Sequence, residues 1–307
     1  MNGNKKSFLL IVQILLLVCP FTKVLADGGI SPYYKVGTVK GSITDVADNV
    51  KQYLQADSFE ILGDYNPAKN PQYLVIAFTR TDLKNIAIMK NPRGILAAVL
   101  KVGLYAKTAD SVVVTMVNPD YLFYSYLRHD ISGYEMELND ISMEVKLALK
   151  NIGREFLPFG GTDDLTETYL KDYRFMVRDP NFSQPVVLCD FPNYDRGLQI
   201  IRNNLAARRG ITYPVYELVL EDKHIAIFGV GLWDPQKDEG ENAFLGKLGF
   251  DSFASMPYEI ILIDRQATML AGKYRFPLFY PYLTMNDFRK IYRTHRGIEE
   301  IMKGLTK

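Results

Sequence analysis

Apolar and polar positions follow helical and strand periods along the chain, and the order of predicted elements recurs after about 150 residues. Residues 74–127 hold an apolar strand, a polar loop, a helix and two more strands, and end at Tyr126-Leu127. Residues 225–283 repeat this order in degenerate form and end at Tyr282-Leu283. A period of this length is too long for a stacked repeat array, so the sequence predicts a duplicated domain.

The first predicted unit covers residues 33–153. Apolar residues at Val46, Val50 and Leu54 have the spacing of one helix face. Thr44 is the predicted cap of that helix. The elements predicted for this unit are an extended segment at 34–39, the helix after Thr44, strands at 59–64 and 73–78, a helix at 93–101, strands at 102–106 and 111–117, and a helix from 139 or 140.

The second predicted unit covers residues 185–307. Its predicted elements are a strand at 186–190, a helix from 195, strands at 215–220 and 224–230, a short helix near 242–249, strands at 257–263 and 267–274, and a helix at 286–305. Both units follow the order β-α-β-β-α-β-β-α. This order predicts an α+β fold of two similar domains in tandem, each a mostly antiparallel sheet with helices packed on one face.

Residues 154–184 connect the two predicted units. They contain Tyr169, Tyr173, Phe175 and Phe182. Disordered linkers are poor in aromatic residues, so we expect an ordered connecting strap that packs on both domains.

The first 26 residues have the pattern of a secretory signal peptide. Lys5 and Lys6 precede an apolar run at 8–18, and Val24-Leu25-Ala26 supplies a cleavage site before Asp27. An uncleaved anchor is the alternative, but a spanning helix needs about 20 apolar residues. The sequence therefore predicts a periplasmic or secreted protein with no membrane span after cleavage.

Export changes the charge and thiol content of the chain. The full sequence has 36 Lys and Arg against 35 Asp and Glu. Removal of Lys5, Lys6 and Lys23 leaves a net charge of −2. A chain without basic excess is a poor candidate for nucleic-acid binding. Cys189 remains as the only thiol, which excludes an intramolecular disulfide, and we expect it to be buried in its apolar strand.

Residues 100–122 carry a strand-turn-helix pattern that includes Leu100-Lys101-Val102 and Val112–Thr115 and closes on Asn118-Pro119-Asp120-Tyr121-Leu122. With Arg128-His129 after it, this stretch resembles the family of domain of unknown function 302, which occurs in bacteria and archaea. In the second unit Phe228-Gly229 and Met256–Ile263 resemble the same family, with Arg275-Phe276-Pro277-Leu278 in place of the asparagine-proline element. The resemblance implies an α+β fold, single or tandem copies and a tendency to dimerise. It implies no known activity.

The sequence contains no signature of a known catalytic or cofactor site. It has no glycine-rich phosphate loop, no H-E-x-x-H and no G-x-S-x-G, and its three histidines are scattered. We therefore predict no catalytic residue, no cofactor and no metal. The acidic loop from Asp234 to Asn242 is the strongest metal candidate, but its spacing does not fit a calcium-binding EF-hand, so a solvated loop is expected.

Five residues are candidates for ligand binding. Arg80, Arg93 and Lys101 flank predicted strands and helix ends, where together they are able to line a pocket for a carboxylate or phosphate. Ordinary surface charges are the alternative. Tyr121, in the aromatic stretch 121–126, and Trp233, beside a strand end, are candidates for apolar pocket walls or for core residues.

These observations favour a non-enzymatic exported protein that binds a small anionic ligand or an envelope protein. Duplication suggests an intramolecular pseudo-dimer, monomeric or weakly dimeric. The alternative is an enzyme with an inter-domain site for a small anionic substrate, built on Arg80, Arg93 and a carboxylate. An enzyme should have a deep pocket that holds a titratable group with a perturbed pKa, whereas a binding module should have a shallower groove or an apolar patch.

Overall fold

The structure is a computed structural model that describes residues 29–208, 210–234, 240–243, 245 and 251–307. The side chains of 285, 287–293 and 295 are not described. The predicted signal peptide and residues 235–239 of the acidic loop lie outside the described residues.

The first unit and the strap form an antiparallel sheet with strand order β2-β3-β4-β5-β1-β6. A π-helical turn, Phe123–Leu127, directly follows the short helix Pro119–Leu122. The strands are β1 (Tyr33–Lys40), β2 (Glu60–Tyr65), β3 (Tyr73–Thr79), β4 (Leu100–Thr108), β5 (Ser111–Val117) and β6 (Leu157–Phe159), and the helices are α1 (Ile43–Ala56), α2 (Thr81–Ile88), α3 (Pro119–Leu122), α4 (Glu135–Leu149) and, in the strap, α5 (Glu167–Lys171).

Four details of the first unit differ from the prediction. Helix α2 occupies the predicted polar loop, and α4 begins at Glu135 rather than at 139 or 140. Helix α1 is capped by Ser42, not Thr44, because the Ser42 side chain accepts the backbone N–H of Asp45. The predicted helix at 93–101 is a 3₁₀ helix over Pro92–Ala98, and Lys101 lies in strand β4. The residues from 94 to 104 are all buried, so hydrophobic periodicity did not mark the change from helix to strand.

The second unit forms an antiparallel sheet with strand order β7-β11-β10-β9-β8. The predicted strand at 267–274 is wrong beyond Met269, because a helix begins at Gly272. The elements are β7 (Val186–Asp190), α6 (Tyr194–Ala206), β8 (Thr212–Leu220), β9 (Ile225–Leu232), β10 (Tyr258–Ile263), β11 (Gln266–Met269), α7 (Gly272–Phe279) and α8 (Met285–Gly304).

The two sheets repeat one topology, as the α+β tandem prediction requires. If β1 to β5 are replaced in order by β7 to β11, and β6 is left out, the strand order of the first sheet becomes that of the second sheet read from its opposite edge. The bulges recur as well. The pairing of β1 with β5 skips Val36, and that of β7 with β11 skips Leu188. The pairing of β2 with β3 skips Leu62, and that of β8 with β9 skips Val215.

Strand register, counted from these bulges, defines which residues of the two units correspond. Lys101 pairs with Ala77, and Glu259 pairs with Gly229 at the equivalent position. Because α3 and α7 begin at equivalent residues, Tyr121 corresponds to Tyr274. The proposed match of the asparagine-proline element with residues 275–278 is therefore wrong, and its counterpart is residues 271–275. The proline at 277 had suggested the shifted alignment.

Equivalent residues of the two units meet at their interface. The Tyr121 hydroxyl donates to the carbonyl of Leu278 at 2.6 Å, and the Tyr274 hydroxyl donates to the carbonyl of Ser125 at 2.9 Å. Ser125 and Leu278 correspond in the same register, so the two hydrogen bonds are reciprocal. At a second point, a Cβ built on Gly63 would overlap the carbonyl oxygen of Val215. Such mutual contacts are expected of two copies related by an approximate two-fold axis.

The strap of residues 154–184 packs on both units. Its strand β6 pairs with β1 of the first unit. Arg128 Nε donates to the carbonyl of Lys171 at 2.7 Å. The buried ring of Tyr173 contacts that of Tyr274 in an edge-on pair with centroids 5.8 Å apart. The domain boundaries at 153 and 185 stay predictions.

Two further observations concern surfaces. Among the described residues, no helix combines the length and the apolar character that crossing a bilayer requires. Cys189 is half-buried on the edge strand β7 rather than fully buried as expected, because that strand pairs only with β11.

Candidate functional site

Arg80 lies at the N-terminal cap position of α2, where its charge is balanced. Its Nε is 2.7 Å from Asp82 Oδ1, and its Nη1 forms an ion pair with Glu144 of α4. An open cleft of about 760 Å³ surrounds this group and also contains Asp57. Acidic groups therefore outnumber the arginine, and the surroundings disfavour an anionic ligand.

Arg93 lies elsewhere, in the 3₁₀ helix over Pro92–Ala98. The Asn91 side chain caps that helix by accepting the Arg93 backbone N–H at 3.0 Å. Burial lowers the pKa of the Arg93 guanidinium, and its Nε has no hydrogen-bond partner among the described residues. Arg80, Arg93 and Lys101 thus lie in three different environments and not around one shared pocket.

Lys101 belongs to a buried polar network between the units. Its Nζ forms an ion pair with Glu259 Oε1, which also accepts the Tyr216 hydroxyl at 3.2 Å. The Arg275 Nε is 3.8 Å from Glu259 Oε2, and its Nη2 donates to the carbonyls of Ser255 and Pro257 at 2.7 and 2.9 Å. Burial lowers the pKa of Lys101, and the charge of Glu259 opposes that shift. The network is closed to solvent and forms part of the interface.

A second polar contact between the units involves Glu241. Its carboxylate accepts the Tyr65 hydroxyl at 3.0 Å and the backbone N–H of Ala68 at 2.7 Å. Burial raises the pKa of Glu241 to about 7. Nearby, the half-buried Trp233 stacks under Lys69 Nζ at 3.7 Å from the ring centroid. Of the two aromatic candidates, Tyr121 is thus a buried interface residue, and Trp233 lies at the edge of this contact.

A cleft in the first unit is the best candidate ligand site. We call it the first cleft; its volume is about 350 Å³. It opens between the start of β1, helix α3 with its π-helical turn, and the N-terminal end of α4. Its walls combine aromatic and apolar side chains with polar ones, among them the carboxylates of Asp120 and Glu135. The lining residues are Gly29, Ile30, Ser31, Tyr34, Asn118, Asp120, Phe123, Tyr124, Ile131, Glu135, Leu138, Asn139 and Pro158.

The tyrosines of the first cleft contact lysine ammonium groups. Lys146 Nζ lies 4.6 Å from the ring centroid of Tyr34, and 3.8 Å from Asp120 Oδ2. Lys171 Nζ lies 5.5 Å from the ring centroid of Tyr124. Burial and nearby carboxylates, including Asp120, raise the pKa of Tyr124 to about 12. The hydroxyl of Tyr124 is therefore neutral at physiological pH and serves only as a hydrogen-bonding group.

A second cleft, of about 380 Å³, lies at the corresponding place in the second unit. By strand register Val186 replaces Tyr34 and Ala271 replaces Asn118. At the third position Lys273 replaces Asp120 and forms an ion pair with Asp179 at 3.3 Å. The fold therefore repeats the cavity while its chemistry differs between the units.

The sequence analysis singled out Asn118 and Asp120 only as part of the family resemblance, and it predicted none of the first-cleft residues to bind a ligand. Tyr34 and Asp120 are 86 positions apart, and α4 contributes a third segment. Their meeting depends on the pairing of β1 with β5, which short-range periodicity does not reveal. The signal that was available is the acidic-aromatic character of Asp120-Tyr121-Leu122-Phe123-Tyr124 at a helix start.

Comparison with known proteins assigns neither a family nor a function to the chain. No family model matches the chain, and no curated protein matches it. A solved structure, an uncharacterized conserved protein DUF302 from Bacillus stearothermophilus, is similar over 39% of this chain and 96% of its own, with 13% sequence identity and a TM-score of 0.31. A similarity this weak carries no argument about activity or ligand.

Proposed function

We propose that this protein is an exported, non-enzymatic binding protein that holds a small ligand in the first cleft. The observation that carries the proposal is the cleft itself. Its volume falls within the range of about 300 to 1,000 Å³ that is usual for small-molecule sites. Aromatic rings and polar side chains both line it. Export rests on the signal-peptide pattern of residues 1–26.

The proposal includes an intramolecular pseudo-dimer of domains related to domain of unknown function 302. The reciprocal hydrogen bonds of Tyr121 and Tyr274 support it, because mutual contacts between equivalent residues characterise a two-fold interface. Fusion of two copies places both halves of that interface in one chain. A monomer in solution follows from this arrangement.

The enzyme alternative has weaker support. Lys101 and Glu241, whose pKa values shift towards neutrality, are buried in the interface, whereas Tyr124 of the first cleft has its pKa raised away from neutrality. The surface clefts around Arg80 and Tyr34 are lined by other residues. A substrate in either cleft would therefore not meet those perturbed groups, whereas an enzyme site is expected to combine them with a pocket.

An envelope protein is a second candidate partner, and one specific surface favours it. The outer side of α4 exposes Met136, Met143 and Leu147, which are 79%, 52% and 56% exposed. Acidic residues, including Glu137 and Asp140, flank this stripe. Exposed methionine-rich surfaces with acidic flanks suit a basic amphipathic segment. Met143→Asp should abolish cross-linking to such a partner while leaving small-ligand binding intact.

The test of the main proposal is a thermal-shift screen of small metabolites against residues 27–307. A ligand at 100 times its Kd adds about 2.7 kcal/mol to the free energy of unfolding, enough to move Tm by several degrees. Asn139→Trp, at an exposed lining position, should fill the first cleft and remove the shift. Asn85→Trp, which fills the Arg80 cleft instead, is the matched control. Shifts that survive Asn139→Trp would place the ligand elsewhere and defeat the proposal.

A further inference from the structure

We propose that the ligand of the first cleft is a small organic cation with a quaternary ammonium group. This inference rests on the proposed function of the cleft as a ligand site. Tyr34, Phe123 and Tyr124 supply aromatic rings to its walls. The negative face of such a ring attracts an ammonium group within about 6 Å of its centroid, more strongly when the site is partly desolvated.

Two of these rings already hold ammonium groups from the protein itself. Lys146 Nζ is 4.6 Å from the centroid of Tyr34, and Lys171 Nζ is 5.5 Å from that of Tyr124. The two lysines come from α4 and α5, so two independent segments place a cation on a cleft tyrosine. The rings are therefore electrostatically suited to cations in this fold.

The carboxylates around the first cleft outnumber the neighbouring lysines by one. Asp120 and Glu135 line it, and Glu167 acts on Tyr124 by charge and by a hydrogen bond. Against these three carboxylates stand Lys146, 3.8 Å from Asp120, and Lys171, 2.6 Å from Glu167. Glu135 accepts the backbone N–H of Gly133 at 2.7 Å, and the lysine whose charge acts on it is Lys171, which is already paired with Glu167. The surplus carboxylate favours a bound ammonium over a carboxylate or phosphate.

The second cleft supplies a contrast within the same molecule. It has Val186 in place of Tyr34 and Lys273 in place of Asp120, so no aromatic ring lines it. Its two lining carboxylates, Glu299 and Glu300, are matched by two lining cations, Lys273 and Arg296, which leaves no surplus carboxylate among the lining residues. An ammonium ligand should therefore occupy the first cleft alone. A stoichiometry of one per chain follows.

The test is isothermal titration of residues 27–307 with three compounds that share a branched head group: choline, its uncharged carbon isostere 3,3-dimethylbutan-1-ol and the anionic pivalate. Choline should bind with one site per chain, and the other two should bind at least tenfold more weakly. Asp120→Asn should weaken choline binding about five- to tenfold, because it removes one partly solvated charge. Lys146→Met should strengthen it, because a competing cation is lost. Lys273→Met, in the second cleft, is the control and should change nothing.

The opposite responses of Asp120→Asn and Lys146→Met separate electrostatic recognition from damage to the fold, which weakens binding in both variants. Absence of choline binding, or equal binding of pivalate, would overturn the assignment of a cation. If the thermal-shift screen still finds a ligand that Asn139→Trp excludes, the cleft remains a ligand site and only the assigned class is wrong. If neither choline binding nor a thermal shift that Asn139→Trp removes is observed, the proposed function is wrong as well.

Discussion

Lys101 and Glu259 occupy the same register position in the two sheets and form a buried ion pair with each other. In a symmetric homodimer such positions near the axis hold identical residues, and two buried lysines or two buried glutamates would repel each other. A fused chain removes that restriction, because each copy changes independently. The pair therefore shows what duplication in one chain permits and a homodimer does not.

Breaking this pair should strongly destabilise the protein, and the two single variants should differ. Glu259→Gln leaves both Lys101 and Arg275 without a carboxylate, so we expect a loss of about 3–5 kcal/mol in the free energy of unfolding. Lys101→Met should cost less, because Arg275 Nε and the Tyr216 hydroxyl remain near Glu259. Urea denaturation measures both. Equal losses would show that Arg275 and Tyr216 do not compensate for the missing lysine, and negligible losses would show that the network contributes no net stability.

The reciprocal tyrosines should behave alike. Tyr121→Phe and Tyr274→Phe each remove a buried hydroxyl and leave a carbonyl, of Leu278 or Ser125, without its donor. Each should lower the free energy of unfolding by about 1–3 kcal/mol. Tyr53→Phe on α1 is the control and should have little effect. A large difference between the first two losses would speak against equivalent roles at a two-fold interface.

Gly63 should not tolerate a side chain, because strands β2 and β8 approach closely there. A Cβ at Gly63 would overlap the Val215 carbonyl oxygen, so Gly63→Ala should lower Tm and weaken the contact between the units. Gly297→Ala is the control, since a Cβ at that helical position meets nothing within 4 Å. That control should stabilise the protein by about 0.5–1 kcal/mol through helix propensity. A Gly63→Ala protein as stable as wild type would mean that the strands are further apart.

Glu241 should make stability fall as pH rises towards neutrality. Its pKa is raised to about 7 in the folded protein, against 4.5 for an ordinary glutamate. Between these values the folded state binds more protons than the unfolded state, so the free energy of unfolding decreases with rising pH and levels off above about 7. The decrease amounts to about 3 kcal/mol at most. Glu241→Gln should remove this slope, as urea denaturation across pH 4.5 to 8 would reveal; an unchanged slope would assign the effect to other groups.

The sequence predicted the local structure better than the site. Strands β5 and β7 have the predicted bounds, since each is a short apolar run between turn signals. Lys101 was predicted at a helix end because the buried stretch around it has no amphipathic period. The first cleft escaped prediction because Tyr34, Asp120 and Glu135 meet only through strand pairing and helix packing. The hydrogen bond between Tyr65 and Glu241, which are 176 positions apart, was not predicted either, because it also depends on packing between distant segments.

Native mass spectrometry of protein purified from the exported fraction tests the central claim most directly. The account predicts a monomer that begins at Asp27 and carries one small molecule of discrete mass. Asn139→Trp should yield the same monomer without that mass, and Asn85→Trp should retain it. A bare wild-type chain, or a bound mass that persists in Asn139→Trp, would contradict a protein that binds its ligand in the first cleft.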